Sequence, residues 1–245
     1  YDMAIDLQGL LRSGLFAYVT HAPVRIGFKE AREGSAVFYT HKITGGRDIH
    51  AVDRYLKIAS ALGCETADAG FPMPLIKESD KVKRLKENAG DYAVIVPGAR
   101  WETKKWSPEK FGRLASMLNI KTMIIGSKSD MEISKRIEAA SKGKALSTAG
   151  YTDIKELISI IRGARYVVTN DSGPMHIAAA LGIPVIAIFG PTNPERTGPY
   201  GEKHIIISSD IPCAPCYKKR CKTMRCMEDI SVAQVYKEIC GYCSS

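Results

Sequence analysis

The sequence predicts an α/β fold of doubly wound units, and three observations carry that expectation. Short runs rich in Val, Ile and Ala alternate with helix-period segments of about three turns over most of the chain, the pattern of βαβ units around a parallel sheet. The stretch "AGFPMPLIKESD", Ala69 to Asp80, is dense in Pro and Gly and separates two such regions. The stretch "TNDSGPMHIAAALGIPVIAIFGPTNPERTGPYG", Thr169 to Gly201, places one small-residue helix between two apolar runs and then a loop of Gly, Pro and Thr.

Composition bounds the function. The 245 residues are 45% hydrophobic and 25% charged, ordinary for a globular protein. No apolar run approaches the roughly 20 residues that span a bilayer, and the first residues lack the basic start of a secretory signal. The chain begins without Met, directly in what reads as a strand, so an N-terminal portion of the native protein is expected upstream. A net charge of +9 favours anionic partners: nucleic acid, an anionic membrane surface or phosphorylated substrates. Of the seven cysteines Cys64 stands alone, while Cys213, Cys216, Cys221, Cys226, Cys240 and Cys243 crowd the C-terminus. That is a local sulfur cluster in a cytosolic protein and not a disulfide scaffold spread over a short chain.

Taken in order, "DMAIDL" reads as a buried strand ending near Leu7, and "QGLLRSGLFAYVT" as a short helix. His21 to Gly34 reads as a basic loop that includes a second apolar piece, Val24 to Phe28. "IHAVDRYLKIASALG" puts Ile49, Val52, Leu56, Ala59 and Leu62 on one helical face, with Gly63 as the residue after the cap. Beyond the linker, "YAVIVPG", "KTMIIG" and "RYVVT" are strands. "SPEKFGRLASMLN", "DMEISKRIEAA" and "TDIKELISIIRGA" are helices, the last with Thr152 as its N-cap. The second half is thus one doubly wound domain, and the first half is the tail of another.

In such sheets ligands bind beyond the carboxyl ends of the strands, where helices begin. Thr169 to Pro174 lies at such an end. Gly173 is expected to allow the tight turn, and Pro174 suits a helix start. The unpaired N–H groups that follow, with the helix dipole, favour an anion, and His176 lies in the same first turn. The loop "VIVPGARWETKKW" brings Arg100, Lys104 and Lys105 to the same sheet edge, and "GPTNPERTGPYG" adds a third loop. Neither G-x-G-x-x-G nor the Walker pattern is present, which counts against hydride transfer and P-loop phosphoryl transfer. A nucleotide diphosphate held by a helix start and a lysine fits better.

These residues resemble glycosyltransferase family 9, the ADP-heptose:lipopolysaccharide heptosyltransferases. The resemblance rests on "NDSGPMHIAAALGIPVIAIFGPTNPERTGPYG" and "VPGARWETKKWSPEKF". It extends to "YDMAIDLQGLLRSGL", "RIGFKEAREGSAVFYTHKI" and "HAVDRYL", which look most like heptosyltransferase I. It implies a GT-B architecture of two Rossmann-like domains, here residues 1–72, partial and acceptor-binding, and residues 73–245, nucleotide-sugar-binding with a Cys-rich tail. It implies inverting transfer of heptose from ADP-heptose to a phosphorylated lipid A–Kdo acceptor at the inner membrane face. Neither cofactor, metal nor nucleic acid belongs to that chemistry. By the family pattern Lys104 contacts the donor phosphates and Asp130 the donor hydroxyls, while Asp171, Ser172, Gly173 and His176 contact the heptose and diphosphate. Some relatives carry two threonines where this chain has Ala99 and Arg100, and Arg100 is expected to contact a phosphate instead. Arg12, Arg25 and Arg32 are candidates for the anionic acceptor. The family's catalytic base, an aspartate in an upstream glycine-rich loop, is expected outside these residues, and Asp6 is not its replacement.

The segment "CAPCYKKRCKTMRC" supports a reading of another class. Its C-x2-C-x4-C-x4-C spacing is that of a zinc knuckle, and its interleaved Lys and Arg suggest a metal-stabilised nucleic-acid-binding module. Disulfides or free buried thiols are the other readings of the same cysteines.

Overall fold

A computed structural model describes residues 1–67 and 70–244. Ala69, where the expected linker begins, lies outside the described residues. Contacts divide the chain into two compact units, Tyr1–Gly70 and Phe71–Ser245.

The first unit holds β1 (Met3–Asp6), α1 (Leu11–Val19), β2 (Val24–Phe28), β3 (His41–Ile43) and α2 (Ala51–Ala61). Its strands form a parallel sheet in the order β1-β2-β3. Val24–Phe28, expected within a loop, is therefore the central strand. Pairing on both sides and the burial of Ile26 and Phe28 decide its state. The helix face also differs from expectation. Ile58 is the buried residue of α2 and packs on Ile26 and Phe28, whereas Ile49, Val52, Leu56 and Ala59 are half-buried and Leu62 is exposed.

Asp6 ends β1 and organises this unit. Its carboxylate accepts from the Gln8 and Gly9 amides at 2.9 and 3.0 Å, from Ser13 Oγ at 2.8 Å and from Tyr39 Oη at 2.6 Å. Burial pushes the Asp6 pKa up, but these donors together outweigh burial and hold it below its ordinary value. Tyr39 is pushed up to about 12 by burial and by its bond to Asp6.

The second unit runs α3 (Asp80–Ala89), β4 (Tyr92–Val96), α4 (Pro108–Met117), β5 (Lys121–Ile124), α5 (Met131–Ala140), β6 (Ala145–Ser147), α6 (Ile154–Arg162), β7 (Val167–Asn170), α7 (Gly173–Ala180), β8 (Val185–Phe189), α8 (Pro194–Thr197), β9 (Ile205–Ser208), α9 (Arg225–Glu228) and α10 (Val232–Ser244). The sheet is parallel in the order β6-β5-β4-β7-β8-β9. Alternate residues of its strands enter opposite cores. Ile95, Ile124, Val168 and Ile188 pack with Trp106, Phe111 and Leu114, while Val94, Met123, Val167 and Ala187 pack with Ile160, Met175 and Ala178. Burial on both faces explains the near-continuous apolar strands.

Three short strands, β3, β6 and β9, were not legible in sequence. The N-cap of α6 is Asp153 and not Thr152. The Asp153 carboxylate accepts from the Glu156 amide at 2.8 Å, and Glu156 reaches back to the Asp153 amide at 3.2 Å. This reciprocal pair satisfies two helix-start donors where a threonine would satisfy one.

The Asp6 cluster predicts an acid-sensitive first unit. Because the folded pKa is depressed, its stabilisation is present above the unfolded aspartate value of about 3.9 and is lost as pH falls through the lower folded value. Asp6→Asn is expected to cost about 2 kcal/mol at pH 7. In thermal unfolding from pH 7 to pH 3 the gap between wild type and variant narrows only below about pH 4.

Candidate functional site

The chain leaves β4 for one flank of the sheet, through β5 to β6, and returns to pair β7 on the other side of β4. The carboxyl ends of β4 and β7 therefore flank a topological switch point, where the two following loops diverge and leave a crevice. Asn170, the last residue of β7, ties these loops together. Its side-chain oxygen accepts from the Trp106 amide at 3.1 Å, and its Nδ2 donates to the Pro97 carbonyl at 2.8 Å.

A cavity of about 560 Å³ opens at this edge, entirely within the second unit. It is lined by Arg100, Lys104, Asp130, Asp171, Ser172, Gly173 and His176, so the residues singled out for the donor are brought together. Lys104 lies in the single helical turn after β4, and its Nζ sits 2.5 Å from Asp171 Oδ2 with both side chains largely buried. Thr192 Oγ1, in the loop after β8, donates to the same Asp171 oxygen at 2.7 Å. The Asp171 carboxylate thus faces a cation and a hydroxyl. It positions Lys104 and is not itself a group for an anion.

Ser172 is the N-cap residue of α7. Gly173, the first residue of α7, does not adopt a left-handed conformation. Its contribution is exposed backbone: a Cβ at this position would meet nothing within 4 Å. The Gly173 and Met175 amides, on either side of Pro174, have no acceptor inside the helix, and the dipole of α7 adds positive potential there. His176 is exposed on the same rim. Gly182, with φ of 71°, ends the helix as expected.

Asp130 is fixed from the β5 side. Its Oδ2 accepts from the Ser127 amide at 2.8 Å and from Ser127 Oγ at 2.6 Å. The approach depends on Gly98, where a Cβ would lie 2.8 Å from Asp130 Oδ1. Thr152, displaced from its expected capping role, lines the same cavity with Oγ1 buried and without a partner among the described residues.

The first unit's arginines are differently placed. The Arg25 guanidinium is committed to its own unit: it donates to the Phe38 and Ala22 carbonyls at 2.8 and 2.7 Å and lies 5.6 Å from the Tyr18 ring centroid. Arg12, on α1, and Arg32, after β2, are exposed. Asp6 accepts four hydrogen bonds and is unsuited to remove a proton.

The C-terminal cysteines are free thiols. Among the described residues no three His, Cys, Asp or Glu side chains are grouped as a metal ion requires. Cys226 is buried, and burial followed by the neighbouring Cys216, Cys213 and Cys221 pushes its pKa up. The Cys-rich segment is instead packed on the cavity loops. The Tyr217 amide donates to the Pro191 carbonyl at 2.8 Å, and Thr103 Oγ1 donates to the Lys218 carbonyl at 2.8 Å. Sequence reasoning missed Asn170, Thr192 and Thr103, whose roles rest on partners distant in the chain.

Residues 1–227 match the family described as Glycosyltransferase family 9 (heptosyltransferase). The chain is 33% identical over 254 residues to lipopolysaccharide heptosyltransferase 1 of Pseudomonas aeruginosa, covering 97% of this chain and 68% of that protein. It is 29% identical to lipooligosaccharide heptosyltransferase 2 of Haemophilus influenzae, covering 84% and 65%. Among solved structures it is similar to the E. coli heptosyltransferase WaaC with ADP, at a TM-score of 0.73 and 24% identity over 99% of this chain and 73% of that one. The chain thus spans about two thirds of the length of these relatives. The GT-B expectation for the fold agrees with that likeness. No helix among the described residues is long and apolar enough to cross a membrane.

The ion pair at the cavity floor makes a stability prediction. Asp171→Ala strands the largely buried Lys104 ammonium and is expected to cost about 3 kcal/mol. Thr192→Val is expected to cost about 1 kcal/mol. Urea unfolding of the two variants measures both, and a Lys104→Met background should remove most of the Asp171→Ala penalty.

Proposed function

We propose, since the chain belongs to glycosyltransferase family 9, that it moves heptose from ADP-heptose to the Kdo–lipid A inner core of lipopolysaccharide, with inversion, as heptosyltransferase I does. The observation that carries this reading is the convergence of Lys104 and the bare amides at the start of α7 on one cavity. Departure of ADP from the anomeric carbon concentrates negative charge on the β-phosphate. Donors already fixed around that position stabilise the transition state more than the ground state, without reorganising during the reaction.

In this reading Gly173, Ser172 and Lys104 hold the pyrophosphate, and Arg100 adds a cation from the rim. Asp130 and His176 accept from or donate to sugar hydroxyls. Asp171 acts through Lys104, fixing its ammonium toward the phosphates. Arg12 and Arg32 are the candidates for the phosphorylated acceptor, and the net charge of +9 suits both that acceptor and an anionic inner-membrane surface on the cytoplasmic side. The base is assigned to no residue of this chain. What favours transfer to Kdo is the 33% identity to one heptosyltransferase 1, while other relatives of both types lie between 26% and 29%.

The test is a transfer assay of the full-length protein with ADP-heptose and either Kdo–lipid A or its monoheptosylated form. Product from the first acceptor alone supports the assignment, product from the second alone makes the protein a heptosyltransferase II, and product from neither discards the reading. Gly173→Ala fills open space and is expected to leave the melting temperature unchanged. It should weaken ADP binding about tenfold in calorimetry, because its methyl group displaces a phosphate oxygen from the amides.

A further inference from the structure

The cavity is short of positive charge for the ligand proposed for it. Its lining carries two cations, Arg100 and Lys104, against three carboxylates, Asp130, Asp153 and Asp171. Of these, Lys104 and Asp171 pair with each other at 2.5 Å, which leaves Arg100 against Asp130 and Asp153. A pyrophosphate brings at least two negative charges, and the dipole of α7 supplies only about half an elementary charge against them. A further cation is required near Lys104, from outside the lining.

The Cys-rich segment supplies one. From Ile211 to Met227 it carries Lys218, Lys219, Arg220, Lys222 and Arg225 and no acidic residue. It is strapped across two loops of the site by the Tyr217 amide on Pro191 and by Thr103 Oγ1 on the Lys218 carbonyl. Pro191 adjoins Thr192, which donates to Asp171, and Thr103 adjoins Lys104. These two anchors fix the backbone on either side of Lys218, immediately before Lys219. The Lys219 ammonium lies 5.5 Å from the Trp101 ring centroid, and the Lys104 ammonium lies 4.6 Å from the same centroid. Trp101 therefore carries both cations, one tied to a carboxylate and one exposed on a flexible stem.

We infer that Lys219 is a further ligand-binding residue of this site, a second lysine for the phosphate groups of a nucleoside diphosphate, presented by the Cys-rich strap. This rests on the donor reading given above. Lys104 sets the position of the pyrophosphate, and Lys219 closes on it from the rim, offsetting charge that the Lys104–Asp171 pair cannot.

Calorimetric titration of the full-length protein with ADP and with AMP tests it, using wild type, Lys219→Ala, Lys219→Arg and Lys222→Ala. The expected result is a loss of about tenfold in ADP affinity for Lys219→Ala, the loss that follows from removing one charge-assisted hydrogen bond. AMP affinity should change by less than twofold, Lys219→Arg should recover most of the ADP affinity, and Lys222→Ala should match wild type. Equal losses in Lys219→Ala and Lys222→Ala would reveal a diffuse field and overturn the assignment. So would ADP affinity unchanged in Lys219→Ala alongside a wild type that binds ADP, even if phosphorylated acceptor binding is weakened, since Lys219 would then serve the acceptor. A wild type that refuses ADP altogether removes the donor reading and this inference with it.

Discussion

The buried pair of Lys104 and Asp171 is the constraint on which the site depends. Taking both charges out of water is costly, and their attraction offsets that cost only where geometry is good and the remaining valences are filled. Here the carboxylate has two partners, an ammonium at 2.5 Å and the Thr192 hydroxyl at 2.7 Å. The three residues come from the loops after β4, β7 and β8, so their mutual satisfaction sets how those loops stand around the switch point. Asn170 repeats the device one residue earlier, with side-chain bonds to Pro97 and Trp106. A sheet edge whose loops would otherwise move separately becomes a preorganised cavity rim.

Preorganisation has an electrostatic consequence. A lysine locked to an aspartate contributes direction more than net charge. The attraction for an anion then rests on fixed dipoles, chiefly the amides that open α7, and on cations at the rim. Gly173 matters in this arrangement for what it lacks, since a side chain there would stand between those amides and the cavity. The Cys-rich strap belongs to the same arrangement. Its spacing suggested a separate metal-closed module, but its backbone is bonded to Pro191 and to Thr103 and its Lys219 ammonium lies beside Trp101.

What was legible in the sequence follows the range of the interactions concerned. β4, β5, β7 and β8 are buried on both faces and announce themselves as apolar runs, and a small-residue helix bearing Ser-Gly-Pro and His is readable as an anion-facing helix start. Edge and short strands such as β3, β6 and β9 are fixed by pairing with neighbours rather than by their own composition. Val24–Phe28 reads as a loop until its two partner strands are known. Within the site, Lys104, Asp171 and Gly173 stand in recognisable local patterns. Asn170, Thr192 and Thr103 do not, because their hydrogen-bond partners, the Trp106 amide, the Asp171 carboxylate and the Lys218 carbonyl, are 64, 21 and 115 residues away. Asp153 displaced Thr152 as a cap because a reciprocal bond with Glu156 was available three residues on.

Two carboxylates at strand ends show how surroundings assign a role. Asp6 ends β1 and Asp171 directly follows β7, and each is buried. Asp6 meets only neutral donors of its own unit, which hold its pKa low and bind the start of α1 to Tyr39. Asp171 meets a lysine and a threonine from other loops, and through them the cavity. The oxygens of Asp6 carry four donors, and Asp171 Oδ2 carries both an ammonium and a hydroxyl. Inverting transfer needs a carboxylate that is ionised yet has a vacant lone pair toward the acceptor. These two are thus organisers of geometry, and neither is assigned as the base of the proposed transfer.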